Sequence, residues 1–412
     1  AVHDASMECC FMSLRRRFHH ARLFAALTFA SILMTLPFSE SVIARDFRDA
    51  VNEAVGILGK SRPGGAGSRE NQQAVITLVT AGEKSLRPLL EGFRDATPEG
   101  KNWLHNTFEQ IADRILQSRK SLPASILEDF ILNGSNDSAA RRLAYETLLR
   151  QDPGLSKRLI PSMLMDAGQE FRRDAVTMLL DQAESADAAV AVSLYRRALS
   201  GAVHSDQVGK IADRLRQAGE EVDISQHFGF VTEWKVVGPF DNREEKGFAI
   251  AYPPEKEVES ANPFAAEYEG MTGPVNWQQL VSKDDYGVVD IAKQLENFKG
   301  SLMYLTTTWV SPAKQSLQIR LGTPNAWKLW VNGKQIFQRE EYHRSTRMDQ
   351  YVVPVELNAG GNQLFLKLCQ NEQTQDWAQK YQFQLRVSDA AGAGVLQGQA
   401  VAQNVYAEEE LR

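Results

Sequence analysis

The sequence predicts a multidomain α+β protein, in which α-helices come first and an antiparallel β-sandwich follows. From Asp46 to about Glu221, apolar residues recur every three or four positions, the period of helices with one buried face. From Asp223 onward the period falls to two, which is typical of strands with one buried face. The chain has 412 residues, so each part is long enough to enclose a hydrophobic core of its own.

The first 44 residues predict a leader with a signal peptide. Arginines precede an apolar run from Leu23 to Leu36, and Val42 and Ala44 form a small-residue cleavage pattern. This order predicts cleavage near Ala44 and a periplasmic or secreted protein. A retained membrane anchor is the alternative, but the apolar run is shorter than the roughly 20 residues that span a bilayer. We expect no transmembrane span after cleavage.

Residues 45–69 predict an N-terminal helix and a Gly/Pro-rich linker, and residues 70–222 predict a helical repeat domain. Its helices are about 12 residues long and joined by short turns, as in a solenoid of stacked helix pairs or in a bundle. Arg141 and Arg172 each precede an Ala-containing apolar stripe. Their spacing of 31 residues matches a helix-pair repeat and favours the solenoid. An irregular helical bundle is the alternative.

Residues 223–390 predict the β-sandwich. Asn332-Gly333 separates two apolar strands and predicts a tight hairpin, because both residues tolerate a positive φ. Strand alternation directs Trp327 into the core and Trp330 to the opposite face of its sheet. Residues 391–412 are rich in Ala, Gly and Gln, and predict a disordered tail.

Several segments resemble known families. The segments AWKLWVNGKQIF (Ala326–Phe337) and VPVELNAGGNQLFLKL (Val353–Leu368) resemble the late strands of galactose-binding-like jelly rolls. Phe228–Pro254 resembles a block that precedes a jelly roll in uncharacterised secreted bacterial proteins, and SAARRLAYETLL and GQEFRRDAVTMLL resemble HEAT-like repeats. The resemblance implies an exported protein with HEAT-like repeats and a C-terminal jelly roll, the fold of many carbohydrate-binding modules. It implies no catalytic residue.

A candidate ligand site is centred on Trp377, which lies in the polar loop NEQTQDWAQKY between two predicted strands. A tryptophan beside amides and charges is suited to stacking on a sugar ring. His343, Arg344 and Glu372 are expected to fix the hydroxyl groups, and Trp330 is a second candidate for stacking. The alternative is that Trp377 only caps the edge of the sandwich.

The sequence predicts no catalytic residues and no cofactor. It contains no H-E-x-x-H and no G-x-S-x-G motif. Carboxylates are plentiful, but a glycosidase needs two at a fixed separation, which sequence does not reveal. Asp284 and Asp285 are the candidates for a structural calcium ion, since Ca²⁺ prefers oxygen ligands. The alternative at these two residues is an ordinary polar loop.

The net charge of −6, with both signs interspersed, argues against a nucleic-acid partner. We therefore expect an exported, non-catalytic binding or scaffold protein, whose helical repeats contact a protein partner and whose sandwich binds a glycan. One alternative is a protein-docking scaffold without a glycan ligand. The other is a carbohydrate-active hydrolase or an accessory subunit of one. The environment of Trp377 distinguishes the glycan-binding protein from the scaffold. Exposure of its side chain in a concave patch favours glycan binding, and burial of the side chain favours the scaffold.

Overall fold

A computed structural model describes residues 38–65 and 67–401, with side chains from residue 47 onward. Helices occupy the first part and antiparallel sheets the second, which confirms the predicted α+β class. The signal peptide stays a prediction, because residues 1–37 lie outside the described residues. The described residues from Ala50 onward form one compact unit. Within the described residues, no helix combines the length and apolar character that crossing a bilayer requires.

Some of the helices begin at a residue whose side chain caps them. Thr97 accepts a hydrogen bond from the Gly100 N–H, and Asp137 accepts from the N–H groups of Ala139 and Ala140. The helices of the described residues are α1 (Phe38–Gly59), α2 (Ser68–Ala81), α3 (Leu86–Glu91), α4 (Pro98–Gln117), α5 (Ala124–Leu132), α6 (Ser138–Leu149), α7 (Leu155–Leu159), α8 (Gln169–Glu184), α9 (Ala188–Gly201), α10 (Ser205–Gln217), α11 (Ile224–Phe228), α12 (Pro253–Glu259) and α13 (Ile291–Gln294).

The helical part has two apolar clusters that meet at α8. Phe171 and Ala175 belong to the cluster formed with the preceding helices. Val176 and Leu180, on the neighbouring face, belong to the cluster formed with α9, α10 and α11. The helix therefore links the earlier helices to those that lead into the strands.

The strands form two larger sheets and one hairpin, with every pair antiparallel. The six-stranded sheet has the order β4-β1-β6-β11-β8-β9, the four-stranded sheet has the order β10-β7-β12-β5, and β2 pairs with β3. The strands are β1 (Glu233–Asp241), β2 (Glu267–Gly270), β3 (Gly273–Asn276), β4 (Gln278–Val281), β5 (Val289–Asp290), β6 (Ser301–Ser311), β7 (Gln315–Gly322), β8 (Ala326–Val331), β9 (Lys334–Arg339), β10 (Tyr351–Leu357), β11 (Gly360–Gln370) and β12 (Gln382–Ser388).

The two larger sheets enclose an apolar core to which Trp327 of β8 and Leu385 of β12 both contribute. Trp330 lies on the opposite face of its sheet, as the alternation predicts, in a separate cluster with Phe248 and Tyr268. The segment between β1 and β4 covers that face, so both faces of the six-stranded sheet are buried. The predicted hairpin is present, with φ values of 51° at Asn332 and 78° at Gly333.

The helices pack directly against the sandwich. The Arg386 guanidinium of β12 is buried and donates to the Phe228 carbonyl of α11 at 3.2 Å. Asp349 holds the same guanidinium through both carboxylate oxygens and also pairs with Arg320. These contacts join the last helix before the sheets to two strands of the four-stranded sheet.

The prediction of a disordered tail is wrong for residues 391–401. Val395 is buried, and its N–H donates to the Val387 carbonyl at 2.9 Å. The Gly398 N–H donates to the Val310 carbonyl at 2.9 Å. Backbone hydrogen bonds to strand residues hold the segment, and its low-complexity composition does not reveal them. Residues 402–412 lie outside the described residues.

Candidate functional site

Three strands end at the same end of the six-stranded sheet. Strand β6 is antiparallel to β1 and to β11, and β8 is antiparallel to β11 and to β9. Strands β1, β9 and β11 therefore run in one direction. Ser301 of β6 is in register with Asp241 at the end of β1 and with Gln370 at the end of β11. The loops that follow these three strands meet there.

Trp377 lies in the loop after β11, within a short 3-10 turn at Asp376–Ala378. Its side chain is 61% exposed, whereas Ala378 beside it is buried. The Ala378 carbonyl accepts a hydrogen bond from Lys299 Nζ at 2.7 Å, which anchors the turn. The His343 ring, from the loop after β9, stands edge-on to the indole with a centroid distance of 5.1 Å. The indole is therefore supported on one side and open to solvent.

A chain of polar side chains joins the three loops. His343 Nε2 lies 2.5 Å from Asn371 Oδ1, and because an amide oxygen only accepts, the imidazole is the donor. Asn371 Nδ2 donates in turn to Glu245 Oε1 at 3.0 Å. Asn371 is buried, so these bonds fix the loops that carry His343 and Glu245.

These loops line two adjoining, shallow and open depressions, which together we name the Trp377 groove. The first, of about 480 Å³, is lined by Glu245, Glu341, Tyr342, His343, Arg344, Asn371, Gln373 and Trp377. The second, of about 460 Å³, shares three of those residues and is also lined by Glu244, Glu372, Thr374 and Gln375. The groove thus presents one exposed aromatic ring among amide, carboxylate and guanidinium groups.

The backbone of the groove is strained at Glu244, Glu245 and His343, whose φ values are 56°, 61° and 56°. Residues other than glycine rarely adopt this left-handed conformation, and strain of this kind clusters at functional sites. The Glu244 N–H donates to Glu372 Oε2 at 2.9 Å, which ties the loop after β1 to the loop after β11. The turn thereby presents two successive glutamates at the groove.

The charged groups of the groove are partly paired. The hydrogen bond from Arg339 lowers the pKa of Glu341, which also contacts Arg344 at 3.3 Å. The hydrogen bond from Lys246 lowers the pKa of Glu244. Both carboxyl groups are consequently ionised at neutral pH and act as hydrogen-bond acceptors.

The structure brings together four of the five predicted ligand-binding residues, namely Trp377, His343, Arg344 and Glu372. Trp330 is not among them. It is fully buried, and its Nε1 donates to Glu259 at 3.2 Å. The segment that covers its face of the sheet contains only short elements, and the alternating strand pattern does not predict it.

The predicted calcium ligands are engaged in other contacts. Asp284 Oδ1 accepts from the Tyr286 N–H at 2.9 Å, and Asp285 pairs with Arg216 at 3.0 Å. No cluster of three or more His, Cys, Asp or Glu residues suited to a metal ion is found in the part of the chain that the structure describes. The calcium ion therefore stays an untested prediction.

Sequence reasoning did not place Glu245 or Asn371 in the ligand-binding site. Both follow strand ends, at Asp241 and Gln370, but their positions along the chain do not show that the two strands end side by side. One signal of this proximity was present in the segment Phe228–Pro254, namely Asn242, which directly follows β1. Asn242 donates to the Gln370 carbonyl at 3.1 Å and to the Tyr342 hydroxyl at 3.2 Å. The asparagine therefore connects the three loops.

No family model matches the chain, and no curated protein matches it. Among solved structures, the chain is similar to the GH31 alpha-xylosidase Xac1773 from Xanthomonas citri, with 11% identity over 39% of this chain and a TM-score of 0.16. It is also similar to a beta-glucosidase from Kluyveromyces marxianus, with 9% identity over 68% of this chain and a TM-score of 0.24. The matches cover 16% and 35% of those chains, respectively. TM-scores this low do not support any conclusion about the activity of this chain.

Proposed function

We propose that this chain is an exported, non-catalytic binding protein whose jelly-roll sandwich binds carbohydrate in the Trp377 groove. The observation that carries the proposal is the exposure of Trp377 within a concave, polar surface. A single exposed apolar side chain is ordinary on a protein surface, so the proposal depends on where this ring lies, which is beside a depression lined by amide, carboxylate and guanidinium groups. A sugar ring offers an apolar face for the indole and hydroxyl groups for the surrounding amides and carboxylates.

The pKa shifts of Glu244 and Glu341 favour a role as hydrogen-bond acceptors over a role as general acid for these two groove carboxyls. The general acid of a glycosidase needs a raised pKa, so that it holds a proton at neutral pH. In the groove, hydrogen bonds from Lys246 and Arg339 lower the pKa of Glu244 and of Glu341. These side chains are suited to accepting hydrogen bonds from hydroxyl groups and not to donating a proton.

The proposal assigns HEAT-like repeats to the helical part. The same salt bridge recurs three times along the helical part. In each case a basic residue near the start of one helix pairs with an acidic residue near the start of a later helix. The pairs are Lys101–Asp137, Arg142–Asp174 and Arg173–Asp206. Their sequence separations of 36, 32 and 33 residues approach a constant period. Helices α4, α6, α8 and α10 are thus the equivalent members of stacked helix pairs, and their surface is proposed to contact a protein partner.

The test is a broad glycan array probed with the full chain and with the Trp377→Ala variant. We expect the full chain to bind a restricted set of glycans. Trp377→Ala should weaken that binding about tenfold or more, which corresponds to about 1.4 kcal/mol. Because the indole is largely exposed, the variant should unfold at the same urea concentration as the wild type.

The matched control is Trp103→Phe, at a half-buried tryptophan of helix α4 outside the groove. It should leave glycan binding unchanged. A folded chain that binds no glycan on the array would refute the carbohydrate proposal and favour the protein-docking scaffold. Turnover of a glycoside that is lost on changing one groove carboxylate would refute the non-catalytic part.

A further inference from the structure

A second cavity, distinct from the Trp377 groove, lies where the helices meet the sandwich. It has a volume of about 600 Å³. Met165, Ala167 and Arg172 line its helical side, and loops of the sandwich that include Lys314 line the other side. Ala400 and Val401 also line it, at the end of the described chain. We name this cavity the junction cleft.

Arg172 is an unusual member of this lining. It is 95% buried, and its Nε donates to the Asp166 carbonyl at 2.5 Å. A second, longer contact joins Nη2 to the Met165 carbonyl at 3.4 Å. Its Nη1 is buried and has no hydrogen-bond partner among residues 38–65 and 67–401. Burying a guanidinium N–H group costs free energy unless a hydrogen-bond acceptor pairs with it.

The preceding helical repeat contains the completed form of the same arrangement. Arg141 stands 31 residues before Arg172 and is likewise buried. Its Nε donates to the Ile131 carbonyl at 2.6 Å, as Arg172 Nε donates to a carbonyl. Its two Nη atoms bind both oxygens of Asp166, at 2.8 and 2.6 Å. The carboxylates of Asp389 and Asp166 act on Arg172 only through their charge, since neither accepts a hydrogen bond from the guanidinium, and burial lowers the pKa of Arg172. Arg172 therefore lacks the carboxylate that Arg141 has.

We infer that the junction cleft binds a carboxylate group, which Arg172 receives in the way that Arg141 receives Asp166. An arginine fork matches the two oxygens of a carboxylate. Lys314 adds a second positive charge to the lining, and exposed Met165 offers apolar surface for the body of the ligand. Glu356 and Asp389 also line the cleft, so the ligand is one with a single negative group.

This carboxylate has two possible sources with the same chemistry. One is a small carboxylic acid from solution. The other is the chain itself, because Val401 lines the cleft and the sequence that follows it contains Glu408, Glu409 and Glu410. Nine extended residues reach about 30 Å, which is ample for a glutamate to fold back to the cleft.

The test measures thermal unfolding in acetate, the smallest organic carboxylate after formate, against acetamide, its uncharged counterpart. Sodium chloride keeps the ionic strength constant. Both the full chain and a chain that ends at Val401 are titrated. We expect acetate to raise Tm saturably by about 2 °C or more relative to acetamide. Arg172→Gln should abolish the rise, and Arg173→Gln, which removes the same charge from an exposed neighbour, should preserve it.

A rise in both chains assigns the cleft to a carboxylate from solution. The chain's own glutamates occupy the cleft if acetate leaves the Tm of the full chain unchanged but raises the Tm of the shortened chain. Acetate should then also raise the Tm of a full chain in which residues 408–410 are changed to Gln. If Arg172→Gln does not fold, Arg172→Lys replaces it, and the rise should shrink because lysine has no planar fork. No rise in either chain, or an equal rise in the Arg172 variant, would overturn the inference.

Discussion

At the scale of single residues, the helical part contains two arginines with the same sequence context and different surroundings. Arg141 is held by Asp166 through two hydrogen bonds, whereas Arg172 bonds only to backbone carbonyls. The sequence predicts a helical repeat that would include both arginines. It does not predict the difference, because Asp166 follows a helix end and its partner is decided by how the helices stack.

This difference predicts unequal losses of stability. Arg141→Gln should lower the free energy of unfolding by about 3 kcal/mol or more, because it leaves the largely buried Asp166 carboxylate without its cation. Arg172→Gln should cost clearly less, because it leaves no carboxylate unpaired and removes an unsatisfied donor. Urea unfolding at pH 7 measures both. Equal losses would contradict the assignment of Arg172 as the incomplete member of the pair.

His227 predicts a dependence of stability on pH. Burial lowers its pKa, and the hydrogen bond between Nε2 and the Ala202 carbonyl only partly offsets this. Burial shifts the pKa of His204 in the same direction. In the unfolded chain each histidine takes up a proton near pH 6.5, whereas in the native state it stays neutral to a lower pH. Stability should therefore be complete above about pH 6.5 and fall below it.

The measurement compares urea unfolding at pH 7.5 and pH 5.5. The double variant His204→Gln, His227→Gln should show a smaller loss of stability between the two pH values than the wild type does. A loss of the same size in the variant would show that other groups cause it.

At the scale of elements, the end of the six-stranded sheet decides where the candidate site lies. The alternating pattern predicts most of the long strands, and Asn332-Gly333 predicts the hairpin between β8 and β9. The site depends on a property that no local pattern contains, which is that β1, β9 and β11 end together. Trp377, His343, Arg344 and Glu372 could be chosen by their chemistry within polar loops. Glu245 and Asn371 could not, because they are 126 residues apart in sequence and meet only because β1 and β11 both pair with β6.

The hairpin supplies a prediction with a matched control. Gly333 has a φ of 78°, and a Cβ there would lie 2.8 Å from the Val258 carbonyl oxygen. Gly333→Ala should therefore lower the free energy of unfolding by about 2 kcal/mol, through backbone strain and this clash. Gly360→Ala introduces strain at a φ of 89° but meets nothing within 4 Å, so it should cost less. An equal or larger loss in Gly360→Ala, measured by urea unfolding, would contradict the packing of α12 against the hairpin.

At the scale of the whole molecule, helices and sandwich share a buried ionic cluster. Burial raises the pKa of Asp349, but hydrogen bonds from Arg386 and Arg320 lower it by more, so the carboxyl titrates below its ordinary value. Arg386 also donates to the Phe228 carbonyl of the last helix before the sheets. Both the sandwich and its junction with the helices consequently depend on Asp349 being ionised.

This cluster predicts that acid destabilises the chain at the junction. A carboxyl with a lowered pKa contributes stability above the unfolded value of about 3.8, and that contribution is lost as the pH falls through the lower native value. The free energy of unfolding should therefore decrease between pH 5 and pH 3. Asp349→Asn should be less stable at pH 6 and show a smaller decrease over that range. A variant with the wild-type decrease would exclude Asp349 as a cause.

The most direct test of the central proposal uses Trp377 itself as the probe, because it is the most exposed of the seven tryptophans of the chain. The measurement is quenching of tryptophan emission by iodide, with and without the glycan that the array selects. We predict that the glycan reduces the quenched fraction of the wild type by covering the indole, and that Trp377→Phe shows no such change. A glycan that binds without protecting Trp377, or a folded chain for which the array selects no glycan, would contradict the account.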